Sequence, residues 1–517
     1  MAGNGVRRGL RDVTAYLLLI VTISTLGPLQ FGFHLAELNA PQGVITCRQK
    51  TVSSPSTVAR LKGWVAGSRP SATDAPAGFL PDCVPMSEAA FATISSMFTL
   101  GALVGALCSG PFSSKRGRLP AMRITALCFL AGSLVETVAG SVLVMSAGRF
   151  LSGIGAGAST VIVPLYISEV APPDERGLFG VMTQVSINVG ILITQTLGYF
   201  LSYGRQWRWI LGTGVLVAVV QAVGLLCVPE SPAWLATHGD VAGAKRTMQR
   251  IRGKDFDIRE DAVVREADSN PDSVVEREGL LAAADEATPP SSPVARTPAH
   301  LGFVHVIMDP RYRPAIVAVI GVMISQQFCG INSVIMYSVS LFANLLPTSS
   351  ALLTILISVV NLVMTLACSP LPDRLGRKAC LLMSVVGQGT SALVLAFSIV
   401  HGIKILSAAA ILFFAAFFAV GLGPVPFILA SELVGQEAVG ATQSWALAAN
   451  YVSTFLVAQF FPIINTALNE ALGGHGWAFF LFAALAVVSA VFISFKVPET
   501  RGKRGMDEVW GRARRLD

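Results

Sequence analysis

Between Pro314 and Pro372 the chain carries no Asp, Glu, Lys or Arg. A stretch so long without charge cannot form the surface of a water-soluble domain, where roughly a quarter of residues are charged. It is also not alone. Twelve apolar segments recur at 13–33, 88–112, 119–140, 146–167, 178–203, 207–228, 313–342, 350–371, 379–401, 405–430, 442–468 and 475–496. A bilayer-spanning helix needs about 20 such residues, because only a helix satisfies its own backbone in lipid. The sequence therefore predicts an all-α, multi-pass membrane protein with twelve spans. With 53% hydrophobic and 13% charged residues, the composition agrees.

Charge placement orients the spans. Basic residues collect in "GVRRGLR" near the N-terminus, "KRGR" at 115–118, "DRLGRK" at 373–378 and "KVPETRGKR" at 496–504. With twelve spans these share one face, which the excess of Lys and Arg marks as cytoplasmic, both termini included. The loop 34–87 carries Arg48, Lys50, Arg60, Lys62 and Arg69 on the opposite face, but a loop of that length translocates largely regardless of charge. Cys47 and Cys83 both lie in it, and an oxidising compartment would permit a disulfide between them. No N-x-[ST] sequon marks the loop as glycosylated, so plasma membrane and an internal membrane such as a vacuole both fit.

The chain repeats itself. Gly117 in "SSKRGR" and Gly376 in "PDRLGRK" are 259 residues apart; Glu169 in "PLYISEV" and Glu432 in "PFILASEL", 263; Glu230 in "VPESP" and Glu499 in "VPET", 269. Three matches in one order, each after the equivalent segment, predict two six-helix halves, 1–228 and 313–496, with a solute path between them. Residues 229–312 form the connecting stretch on the cytoplasmic side. In it "DVAGAKRTMQRIR" has helical periodicity and a basic face, while 253–300 is acidic, net −6, and reads as flexible linker. Residues 497–517 form a short tail.

Polar side chains inside apolar segments carry the functional signal, since an unpartnered buried amide costs several kcal/mol, about 4–8 in a medium that cannot hydrogen-bond. "SQQFCGINSVIMYS" places Gln326, Gln327, Asn332 and Tyr337 close together. On an ideal helix Gln326 and Tyr337 project within about 20° of each other, but Asn332 points about 120° away. One straight helix cannot aim all four at one target, and Gly330 is the expected break. In the fifth segment Gln184, Asn188 and Gln195 fall within about 40° on one face, flanked by Ile187 and Ile191. Asn361 in the eighth segment and Asn450 with Thr454 in the eleventh add further amides and a hydroxyl. Either these groups bond neighbouring helices, or they line a path for something polar.

Several motifs together, "GRFLSGIGAGASTVIVPLYISEVAPPDERG", "QVSINVGILITQ", "VPESPAWL", "SQQFCGIN", "DRLGRK", "VGLGPVPFILASEL" and "VPETRGK", resemble the sugar porter family of the major facilitator superfamily. "LQFGFHLAELNAPQ" is similar to the glucose-facilitator branch, in a form like that of fungal members. The resemblance implies a carrier for a hexose or related polyol working by alternating access. It implies that Gln184, Gln326, Gln327, Asn332 and Asn361 bind sugar, with Phe418, Phe427, Asn450 and Tyr451 completing the site. Neutral amides both donate and accept, which suits a ring of hydroxyls. The sequence departs from the family at Ala419, where glucose facilitators carry a Glu, at Phe427 and Tyr451, where they carry Trp, and at Thr454, where they carry Asn. Those changes alter the set of hydroxyl partners and so the preferred sugar.

Proton-linked members carry an Asp in the first helix where this chain has His34. That favours facilitated transport, with proton symport as the alternative. His34 titrates near neutrality and Glu37 follows one turn on; Glu136 and Arg149, near the same face, are the other intramembrane charges and a candidate pair, with Tyr337 a further gating candidate. Glu169, Arg176, Glu230, Asp373, Arg374, Arg377, Glu432 and Glu499 lie at cytoplasmic helix ends. By resemblance they form salt bridges that hold the halves together while the cavity faces outward. Ser114, Leu119 and Val439 depart from that pattern, so a thinner latch and an inward-open preference are expected. No catalytic constellation, phosphate loop or metal-ligand spacing is present, which predicts no enzyme, cofactor or metal. The expected partners are a small sugar, the bilayer and, on the symport alternative, a proton, with no nucleic acid and a monomeric state. A sugar sensor of the same fold is a further alternative, against which the 18-residue tail after Glu499 argues.

Overall fold

In the computed structural model the residues described are 14–48, 81–172, 175–252, 303–342, 350–435, 438–503 and 506–511. The acidic segment 253–300, the N-terminal basic cluster and most of the long loop lie outside them. The structure is all-helical among the described residues. Helix α1 (Ala15–Ala36) is followed by the single turn α2 (Gln42–Ile45) and then by α3 (Glu88–Arg116), α4 (Arg118–Val138), α5 (Val142–Val170), α6 (Arg176–Leu201) and α7 (Trp207–Gly224). Short helices α8 (Pro232–Thr237), α9 (Val241–Arg252) and α10 (Phe303–Met308) lie on the basic face. The remaining helices are α11 (Arg313–Phe328), α12 (Ile331–Leu341), α13 (Ser350–Cys368), α14 (Leu371–Leu375), α15 (Arg377–Val400), α16 (Lys404–Val420), α17 (Val425–Glu432), α18 (Val439–Leu472), α19 (Trp477–Lys496) and the short α20 (Met506–Val509).

Local chemistry starts these helices where the sequence changes from polar to apolar. Thr14, Ser87 and Ser141 each cap a span, their hydroxyls accepting from Leu17, Ala90 and Val144 backbone N–H groups. Side chains such as Leu143, Ile405 and Phe495 stand largely exposed, as a lipid-facing surface requires. Eleven helical stretches among the described residues are long and apolar enough to cross a bilayer. The twelfth predicted span, α6, has 26 residues, but Gln184, Asn188 and Gln195 dilute its apolar character. Two predicted spans are broken in mid-course: the seventh into α11 and α12, the tenth into α16 and α17.

Helices α1 and α3–α7 pack on one another, as do α11–α13 and α15–α19. The two sets meet where α3 lies along α18, α6 along α13, and α1 against α12. Cys47 and Cys83 are joined in a disulfide, with Cα atoms 5.3 Å apart.

Candidate functional site

A cavity lies between the two helix sets, enclosing about 760 Å³ of atom-free space, the water at its mouth included. From the first set come Phe31 of α1, Thr160 of α5, and Gln184, Ile187, Asn188 and Ile191 of α6. From the second come Gln326 and Gln327 of α11, Asn332 of α12, Asn361 of α13, Phe418 of α16 and Phe427 of α17. Helix α18 adds Asn450, Tyr451 and Thr454. Among the described residues no Asp, Glu, His, Lys or Arg lines this cavity.

The break between α11 and α12 sets the amide geometry. Gly330 adopts φ +95°, and a Cβ there would run into the Phe482 ring. That left-handed residue costs glycine little and any other residue much more. It turns the chain so that Asn332 Nδ2 donates to Gln327 Oε1 (2.6 Å), and Gln327 Nε2 to Gln326 Oε1 (3.1 Å). Asn450 Nδ2 also donates to Gln326 Oε1, and Gln326 Nε2 donates to the Leu422 carbonyl in the break between α16 and α17. Four amides and a carbonyl thus form one connected wall. Across the cavity Gln184 Nε2 donates to Asn188 Oδ1 (3.4 Å), and Asn188 Nδ2 donates to Thr365 Oγ1 of α13 (2.8 Å), linking the two sets. The Tyr451 and Thr160 hydroxyls are bonded at 2.7 Å, a second link at the same level. Asn361 Oδ1 is buried without a partner. The ends of the sets remote from the basic clusters are joined by Asn39 Nδ2 to Ser338 Oγ (2.9 Å) and Ser96 Oγ to Gln459 Oε1 (2.8 Å).

Two predicted residues stand elsewhere. Gln195 is not in the cavity wall; its Oε1 accepts from Thr354 Oγ1 (3.3 Å) and its Nε2 donates to the Ile335 carbonyl (3.4 Å). Tyr337 is buried and its hydroxyl donates to the Ala458 carbonyl (2.7 Å). Gln195 lies eleven residues from Gln184 on one unbroken helix, which keeps the azimuth but moves it about 16 Å along the axis.

The charged intramembrane residues form a second, sealed network, and the expected pairing needs correction. Arg149 does not pair with Glu136. Its guanidinium bonds Glu37 and the His34 carbonyl and lies 4.5 Å from the centre of the Phe98 ring. Glu136 Oε1 instead accepts from Ser152 Oγ (2.6 Å). His34 Nδ1 is 2.9 Å from Glu37 Oε1, and its Nε2 is 3.2 Å from Ser133 Oγ. All four ionisable groups are at most 1% exposed. One nitrogen or oxygen from each of His34, Glu37 and Glu136 lies within 4.8 Å of the others, so these residues have the donor set of a metal site that their sequence spacing does not reveal. Arg149 already supplies the cation there. Glu37 and its role as partner to Arg149 were absent from the predicted site, although its position one turn after His34 was visible.

On the basic face the two repeats are near copies. Arg118 bonds Glu169 through Nε (3.0 Å) and Nη2 (2.7 Å), while Glu230 accepts the backbone N–H groups of Arg118 and Leu119. Arg377 bonds Glu432 through Nε (3.1 Å) and Nη2 (2.9 Å), while Glu499 accepts the N–H groups of Arg377 and Lys378. Asp373 adds a bridge to Arg377 at 2.9 Å; Arg374 is exposed. Gly117 and Gly376, φ +100° and +104°, let each glutamate sit directly over the turn. Both bridges close within one helix set, and the expectation that such groups join the sets applies to an outward-facing cavity. Arg118, missed from the predicted set, was present in "KRGR". The Arg176 side chain lies outside the described residues. Partial burial works against the charged form of Glu499, but backbone N–H donors from Arg501, Arg377, Lys378 and Thr500 outweigh it and hold its carboxyl below the usual range.

Comparison with known proteins places these features in a family. The family model described as "Sugar (and other) transporter" matches residues 19–510. The "Probable metabolite transport protein YBR241C" of Saccharomyces cerevisiae is 32% identical, over 99% of this chain and 98% of that one. The "Solute carrier family 2, facilitated glucose transporter member 2" of Gallus gallus is 30% identical, over 97% and 94%. The "partially occluded inward open conformation of the xylose transporter XylE from E. coli" has the same fold, with a TM-score of 0.70 at 22% identity, over 95% of this chain and 100% of that one. The chain is a multi-pass membrane protein and belongs to the sugar transporter family.

Proposed function

We propose that the chain carries a neutral hexose or related polyol across its membrane by facilitated alternating access, the helices up to α7 and those from α11 on moving as two halves about the central cavity. One observation carries this reading: the cavity wall is built from uncharged amides drawn from both helix sets, with no Asp, Glu, His, Lys or Arg among the described residues that line it. A ring of hydroxyls can exchange donors and acceptors with such a wall without stranding a charge. The orphaned Asn361 Oδ1 supplies an acceptor with no internal partner. Phe31, Ile187, Ile191 and Phe418 offer apolar surface for the faces of a sugar ring. The cross-set hydrogen bonds at the end remote from the basic clusters fit a cavity that opens toward the basic, cytoplasmic side. The glucose-facilitator relative supports a hexose as first choice.

A competition panel of hexoses, pentoses and polyols against purified, reconstituted protein tests this reading. Uptake saturable by at least one hexose or polyol, and reduced about tenfold or more by Gln326→Ala, is expected. Absence of binding to every member would overturn it.

Proton symport is the second reading, favoured by the sealed network. Two carboxylates, Glu37 and Glu136, face one guanidinium and lie close enough to each other to share a hydrogen bond. One proton would balance the charge. Uptake driven uphill by an imposed pH gradient in liposomes decides for symport; uptake that only equilibrates decides for facilitation.

A further inference from the structure

Helix α9 is unlike its neighbours. Ala244, Met248 and Ile251 are buried against the bundle, and the Ile251 carbonyl accepts from Thr14 Oγ1 at the start of α1. The other face carries Lys245, Arg246, Arg250 and Arg252, with no acidic residue anywhere in the helix. A groove between α8 and α9 is lined by Leu235, Asp240, Arg246, Thr247 and Arg250. Asp240, its one carboxylate, is turned back on its own helix, Oδ1 accepting from the Gly243 N–H at 2.7 Å. Among the described residues the two guanidiniums on the groove make no carboxylate pair: Arg246 Nε bonds the Ala242 carbonyl, and Arg250 lies 4.7 Å from the Tyr16 ring centre. Tyr16 stands in the first turn of α1, where that span enters the bilayer. Just beyond it Leu18 and Leu19 are about half exposed, at 50% and 48%.

We propose that this groove binds the phosphate of an anionic lipid headgroup from the leaflet on the basic side. Two guanidiniums and the Thr247 hydroxyl can supply donors to the phosphate oxygens, and guanidinium matches that geometry better than ammonium does. The exposed Leu18 and Leu19 offer the acyl chains an apolar surface, which a soluble phosphate would not use. Basic groups close to an anionic membrane surface are drawn to its headgroups, and the attraction weakens as salt rises. Because α9 is tied to α1, which lines the cavity through Phe31, an occupied groove steadies the carrier at a point remote from the solute.

The test uses the full-length protein in neutral detergent, with thermal unfolding followed as lipid is added. Phosphatidylserine is expected to raise Tm by about 4 °C and phosphatidylcholine to leave it unchanged. The rise should shrink in high salt and disappear in Arg246→Gln/Arg250→Gln. If the double variant fails to fold, Arg246→Gln alone, at an exposed position, is expected to lose about half of it. No rise in the native protein overturns the proposal, as does an equal rise in the variants. An equal rise with inorganic phosphate also overturns it, by making the occupant a soluble anion.

Discussion

Two buried polar networks in this molecule are built on opposite terms. Around Gln326 the groups are neutral, connected in series and set against a cavity shared by both helix sets. Around Arg149 they are ionisable, packed within the first set alone, and not part of the cavity wall. The difference follows from what each network must tolerate. A neutral amide can lose a partner to a visiting hydroxyl at a cost near that of one hydrogen bond, about 1 kcal/mol net. A buried charge that loses its partner costs several times more, so it stays closed over its own partners. Position and charge together therefore separate a surface meant to exchange partners from one meant to keep them.

The largest effect should come from opening the charged network. Arg149→Ala leaves Glu37 and Glu136 buried without a cation, and a loss of about 3–5 kcal/mol is expected. Thermal unfolding and the yield of monodisperse protein should both collapse, with partial recovery when Glu37→Gln is added. A Tm within about 2 °C of the native protein would show that the network is hydrated and the contrast overstated.

The neutral network should respond differently to a deletion of similar size. Asn361→Ala removes an acceptor that has no internal partner, so stability is expected to hold or rise slightly while sugar affinity falls about tenfold. Unfolding and equilibrium binding on the same preparation read both quantities. A clear drop in Tm with unchanged affinity would place Asn361 among the structural groups.

The smallest effect concerns the turn below Gly376. Glu499 is held below its ordinary titration range in the folded chain, so its contribution is present above the unfolded pKa and is lost as pH falls through the lower, folded value. Glu499→Gln should therefore lower Tm modestly at neutral pH and flatten the acid limb of a Tm-versus-pH curve. A variant curve parallel to the native one down to the acid limit would remove the carboxylate from the account.

Much of this was legible in the amino-acid order, for a physical reason. Lipid forces spanning helices to be long and apolar, so the helices announce themselves. The same constraint makes each intramembrane amide conspicuous, and Gln184, Gln326, Gln327, Asn332, Asn361 and Asn450 all came together at one cavity. Gln195 lies outside the cavity wall because angular periodicity reports azimuth and says nothing of height along the axis. The Arg149–Glu37 pair joins residues 112 apart on different helices, and no local pattern encodes which of two nearby carboxylates wins. Nor does any local pattern encode that Arg118 and Arg377 close on Glu169 and Glu432 of their own helix sets. Repeats reveal that two sites are alike, not whether their partners lie across a seam.

The series Asn332, Gln327, Gln326, Asn450 satisfies part of its own demand before any guest arrives. A visitor that takes over one of those bonds gains little net grip from it, since that contact displaces one already in place. Loose tenure of this kind shortens residence and hastens release, and a machine that must let go of its cargo on every cycle works faster for holding it weakly.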